Sequence, residues 1–204
     1  MMVFNRDIMG KRIQGTADRT LASQMEWLFD VFEQIDVPKW VDGFCFQVGW
    51  MLYVLREKEA KCFVLEAPDV DNNPFTDRTE DLTTALRVNF VQGQCLQLFD
   101  VGGASVRFDD KIIVANGVFD CDRVYLHRTE SGEPGDSGWY IGPVSDSEPT
   151  DFSAIYVYEL LRVKQAFMRA LLLPDDYMVI FDGDTVTDVV NADNVNVLES
   201  VREG

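Results

Sequence analysis

The sequence predicts an α+β protein made of two small sheet-plus-helix subdomains, and three observations lead there. The chain has 204 residues, 47% of them hydrophobic and 26% charged, a globular composition at a length that suits one large domain or two small ones. Runs rich in aromatic and β-branched residues recur at strand length. Two longer stretches, near residues 21–35 and 154–172, carry apolar residues at helical spacing. Burial at this size suffices to hold a fold without metal or disulfide.

Leu21, Met25, Leu28, Phe32 and Ile35 step by four, three, four and three, so they line one helix face. Thr20, or Ser23 with Glu26, offers an N-terminal cap, and Pro38 ends the helix. Trp27, Phe29 and Val31 lie off the stripe, which predicts burial on more than one side. Strands follow at 44–48, 50–55 and 61–65, and then a proline- and asparagine-containing loop at 67–77. A short helix is expected at 79–88, with Thr79 as cap and Glu80 and Asp81 in its first turn. A strand is expected at 94–99.

Gly102-Gly103 marks the expected boundary, giving domains 1–103 and 104–204. Beyond it, segments 105–108 and 111–115 flank Asp109-Asp110 as a hairpin, and 123–128 is a strand. Residues 129–138, rich in Gly, Glu, Asp and Pro, read as an exposed loop. The sheet resumes at 139–141, and 145–150 is a second polar loop. A long helix is expected at 154–172, with Leu160, Lys164, Phe167 and Leu171 on one stripe and Pro174 as its stop. Segments 177–181 and 185–190 flank the turn Asp182-Gly183-Asp184. The tail from Asn191 is polar and expected to fray. One continuous sheet shared by both halves is the alternative architecture.

Charge narrows the function. Thirty-five acidic residues against 18 basic ones give a net charge of −17. Such a chain repels nucleic-acid phosphates and anionic lipid headgroups, and it favours encounter with basic partners. Solubility alone is the competing reason for the charge. The excess is greater in residues 104–204, at −11, than in residues 1–103, at −6.

Cys45, Cys62, Cys95 and Cys121 form no C-x-x-C pair and read as free thiols of a reducing compartment. The first fourteen residues lack the apolar core of a signal peptide, and no stretch approaches the ~20 apolar residues of a membrane span. A cytoplasmic protein is expected.

No catalytic, cofactor or metal centre stands out. Gly135-Asp136-Ser137-Gly138 matches the surroundings of a trypsin-like nucleophile, but that chemistry needs a histidine base and an orienting carboxylate. The single histidine, His127, lies only ten residues upstream. A loop whose glycines permit a tight turn explains the motif better. Asp182-Gly183-Asp184 with Asp188 does not keep the register of a calcium loop, and there is no P-loop or dinucleotide fingerprint.

A family resemblance does emerge in the second half. The segments Ile112-Ile113-Val114-Ala115, Val124-Tyr125-Leu126-His127-Arg128 and Asp136-Ser137-Gly138-Trp139, then 159–174 and 177–181, resemble the immunity-protein-33-like domain of bacteria over roughly residues 108–185. The family pattern is a strand ending in a basic residue, an acidic loop, and Asp-Ser-Gly-Trp. This chain departs from it after Trp139, where Tyr140-Ile141-Gly142-Pro143 replaces a more acidic continuation.

The resemblance implies a non-enzymatic protein that binds and neutralises a toxin of a polymorphic toxin system. Together with the charge, it places a basic protein partner on the loop of Glu130, Glu133, Asp136, Ser137 and Trp139, with core packing as the competing role for Trp139. Two other readings stay open. One is a small-molecule binding protein or enzyme with a site between the halves, lined by Trp50, Tyr53, Trp139 and Tyr140. The other is a homo-oligomer pairing through the first helix.

Overall fold

The computed structural model describes residues 1–145 and 149–199 of the chain. It divides into two compact units, Met1–Phe90 and Val91–Gly204. Among the described residues each unit holds its own six-stranded sheet, so the fold class is α+β with two sheets, not one shared sheet. The division falls at Phe90/Val91 instead of Gly102-Gly103.

In the first unit, β1 (Met2–Ile8) and β2 (Lys11–Ala17) form a hairpin that sequence periodicity alone did not flag. Its inward residues Phe4, Ile8, Ile13 and Ala17 are buried. Helix α1 (Ala22–Glu33) buries Met25, Leu28 and Phe32 of the predicted stripe and, beside it, Phe29, whereas Trp27 stays 44% exposed. The cap is neither Thr20 nor Ser23. The Asp18 carboxylate instead accepts from the Thr20 amide at 2.8 Å, before the 3-10 turn Arg19–Leu21 that leads into the helix.

Strands β3 (Cys45–Val48), β4 (Met51–Glu59) and β5 (Cys62–Pro68) match the predicted runs, and β6 (Arg78–Thr79) adds a short pair to β5. The sheet order is β1-β2-β5-β4-β3, with β2 and β5 parallel.

Helix α2 spans Thr83–Phe99. It therefore starts later than expected and absorbs the stretch 94–99, expected to be a strand. Asp81, not Thr79, caps it by accepting from the Thr83 amide at 3.0 Å.

The second unit carries β7 (Lys111–Ala115), β8 (Arg123–Arg128), β9 (Asp136–Pro143), β10 (Phe152–Tyr156), β11 (Met178–Asp182) and β12 (Thr185–Val190). Their order is β10-β7-β9-β8-β11-β12, with β7 and β9 parallel and the other pairs antiparallel. Residues 105–108 form no strand. Asp110 closes a turn there, accepting from the Arg107 amide at 2.7 Å.

The long helix expected at 154–172 is also absent. Its first residues, with Ile155 and Tyr156, pair with β7 as strand β10. The rest is α3 (Leu160–Val163), then a break at Lys164 with φ −156° and ψ 71°, then the 3-10 segment Gln165–Ala170. The predicted hairpin at Asp182-Gly183-Asp184 is present. Part of the expected polar loop, 146–148, lies outside the described residues, as does 200–204. Residues 191–198 do not fray: Asn196 bridges to Val190, and Leu198 is buried.

Candidate functional site

The second sheet has two unlike faces. Ile112, Val114, Val124, Leu126, Trp139, Ile141, Val179 and Phe181 point inward and are at most 4% exposed. The segment Gln165–Ala170 covers them, with the Phe167 and Phe181 rings 4.5 Å apart. Because side chains alternate along a strand, the intervening residues form the outer face.

Strand register places Ile113 opposite Tyr140, Tyr140 opposite His127, and Tyr125 opposite both Gly142 and Ile180. An aromatic row crosses this face. Tyr125 meets Tyr140 at 5.7 Å and Tyr140 meets Phe152 at 6.0 Å, both edge-to-face, the arrangement that ring quadrupoles favour. Gly142 makes the row possible, since a Cβ there would sit 2.8 Å from both tyrosine rings. Burial, and then the neighbouring Tyr125 hydroxyl, pushes the Tyr140 phenol up to about 12. Even so, Ile113 is 42% exposed and Phe152 53% exposed.

Acidic residues stand at both ends of this face. Glu130 and Glu133 are exposed on the loop that continues β8 past His127, and exposed Asp182 ends β11 at the other side. Two cations interrupt the pattern. Lys111 lies 6.0 Å from the Tyr156 ring, and Arg123 pairs in register with Asp182.

The predicted site residues separate into two groups. Glu130 and Glu133 are on the surface, as expected. Asp136 is exposed as well, but its carboxylate accepts from the Gly138 amide at 2.9 Å and so holds a turn. Ser137 and Trp139 are each 1% exposed, which removes them from any contact surface.

The Ser137 hydroxyl donates to the Lys111 carbonyl at 2.7 Å and accepts from the Trp139 amide at 3.2 Å. Its proton is committed to the fold, which accounts for the protease-like motif in structural terms. Gly138 takes φ +75°, and a Cβ on it would lie 2.2 Å from the Thr129 carbonyl oxygen. Trp50, Tyr53 and Trp139 are likewise fully buried in their own units. Of the four aromatic residues proposed for a cleft, only Tyr140 reaches the surface.

The basic residue that ends β8 explains the rest of the pattern. Arg128 is 3% exposed. Its guanidinium donates to the carbonyls of Leu171 at 3.1 Å, Leu173 at 2.9 Å and Ser105 at 3.1 Å. Nε lies 2.9 Å from the Asp175 carboxylate, an ion pair poorly aligned for a hydrogen bond. Burial lowers the Arg128 pKa, and Asp175 opposes that shift. The Trp139 ring lies 5.8 Å below the guanidinium, and its indole N–H donates at 2.9 Å to the same Leu171 carbonyl.

Arg128, the Ser137 turn and Trp139 are thus one internal clamp on the segment that covers the sheet. The family model for the Imm33-like domain matches residues 91–192, half of the chain. The chain belongs to the Imm33-like domain family. No curated protein and no solved structure matches it.

The Imm33-like match begins where the second unit begins and reaches beyond the expected 108–185, taking in the second half of α2. The outer face of the Imm33-like sheet was not foreseen as a site. Its available signal was the alternation of Tyr125 and His127 with Val124 and Leu126, which puts two large polar aromatics opposite the core. Among the described residues no three His, Cys, Asp or Glu side chains gather to hold a metal.

Proposed function

We propose that the Imm33-like unit is a protein-binding immunity module that neutralises a basic toxin of a bacterial polymorphic toxin system. The observation that carries this reading is the partly exposed aromatic row on the outer face of the second sheet, with carboxylates at its ends, on a domain of an immunity-type family. Tyrosine and phenylalanine offer large contact area at small entropic cost, and they gain most when surrounding polar groups exclude water. The flanking carboxylates steer a cationic partner and raise its association rate above that of an uncharged pair. The chain's net charge of −17 acts in the same direction.

In this reading Tyr125, Tyr140 and Phe152 anchor the complex while Glu130 and Glu133 guide its approach. The test combines the full chain with the C-terminal domain of a large secreted protein encoded beside it. Binding is followed at low and high salt. Replacing Tyr125 and Tyr140 together by Ser is expected to weaken binding at least a hundredfold, mainly through faster dissociation. E130K with E133K is expected to slow association about tenfold at low salt and to have little effect at high salt. Full affinity in both variants, or protection of cells from the toxin by the double Ser variant, refutes the assignment of this face.

A further inference from the structure

A second surface of the same unit lies on the other side of its sheet. A groove of about 280 Å³ opens between the second half of α2, the segment Gln165–Ala170 and the last two strands. Ala170, Leu173, Val179 and Val189 form its floor, each 1% exposed, while Cys95 and Leu98 stand on its α2 wall. The volume is near the small end of the range for small-molecule sites. At ~30 Å³ per water- or methylene-sized group it holds about ten of them.

The charge of the lining is unusual for this molecule. The chain has 35 acidic side chains, yet among the described residues none lines the groove, and the one charged lining residue is Arg169. Arg169, like Lys111 and Arg123 of the same unit, makes no ion pair among the described residues, while Arg107, Arg128 and Lys164 each lie within 4 Å of a carboxylate; of the unpaired three only Arg169 lines the groove. An arginine left unpaired at an apolar groove in a strongly acidic chain offers a local positive site to an anion that also carries an apolar body. A neutral apolar molecule would not use Arg169, and a cationic one would be opposed by it.

We propose that this groove binds a free monocarboxylate with an unbranched apolar chain of about eight to ten carbons. The chain lies along the α2 wall and the carboxylate sits on the Arg169 guanidinium. No covalent step is involved, and the inference stands independently of the protein-binding role of the opposite face.

Cys95 supplies a reporter that is already present. Burial pushes its thiol up to about 11, so alkylation is slow and depends on access from the groove. The full chain is treated with iodoacetamide at pH 9, and each cysteine is followed by peptide mass spectrometry. Decanoate below its micelle concentration is expected to slow modification of Cys95 at least fivefold and to leave Cys45, Cys62 and Cys121 unchanged. Decanol and decylammonium are expected to protect less.

Calorimetric titration of the same chain is expected to give a decanoate affinity about tenfold weaker in R169Q and within threefold of the parent in R169K. Arg169 is exposed, so the variants should fold, which a thermal melt verifies. The proposal is overturned by equal protection from all three probes, by protection from none of them, or by unchanged decanoate affinity in R169Q.

Discussion

Replacing Arg128 by Met tests whether this buried arginine builds the frame of the second unit. Methionine keeps much of the buried stem but removes the guanidinium from the carbonyls of Leu171, Leu173 and Ser105. Leu171 retains the Trp139 indole N–H at 2.9 Å. A buried acceptor stripped of its donor costs ~1–3 kcal/mol, here for the carbonyls of Leu173 and Ser105, while the half-exposed Asp175 carboxylate is resolvated and adds little. Desolvation of the arginine itself, which lowers its pKa, is relieved and offsets part of that cost. A net loss of about 3 kcal/mol follows.

For a unit of roughly a hundred residues, such a loss lowers the melting temperature by ~12 °C. Differential scanning calorimetry reads it, and the transition of the second unit is the one that should move. W139F alone should cost about 1 kcal/mol, because Arg128 still serves Leu171. Together the two changes leave the Leu171 carbonyl with neither donor, so the double variant should lose more than the sum. A loss below 1 kcal/mol for R128M, or strict additivity of the pair, would refute the clamp.

Three further outcomes follow from the same geometry. G138A should destabilise by ~3 kcal/mol or more, because its φ of +75° is joined by a collision with the Thr129 carbonyl. G135A, at φ +85° in open space, should cost only ~1 kcal/mol of backbone strain, and equal urea midpoints for the two variants would contradict this. Tyr140 releases its proton near pH 12 in the fold and near ~10 when unfolded. Its contribution is therefore complete below pH 10 and declines as pH rises toward 12, so Y140F should flatten the alkaline fall in urea midpoint. An unchanged slope would show that other groups control that limb.

Much of the frame was legible because local pattern and tertiary need agreed. The α1 stripe, the strand at 123–128 and the Asp182-Gly183-Asp184 turn each fold as their residues suggest. The misreadings occur where partners decide. Residues 154–172 have helical spacing, but Ile155 and Tyr156 gain more from pairing with β7, and Lys164 breaks what remains. Residues 94–99 look strand-like alone but are helical as the continuation of α2.

The site followed the same rule. Loop carboxylates Glu130 and Glu133 could be placed from composition. The direction of Ser137 and Trp139 depended on which face of β9 met Leu171, which no nearby residue reveals.

That clamp divides the labour within the domain. Arg128, Ser137 and Trp139 are spent on internal masonry, out of reach of any partner, whereas Tyr125, Tyr140 and Phe152 lie on the outer wall. Two chains could therefore share Arg128, Ser137 and Trp139 and yet present unlike outer faces. That wall could be redrawn without disturbing a single beam.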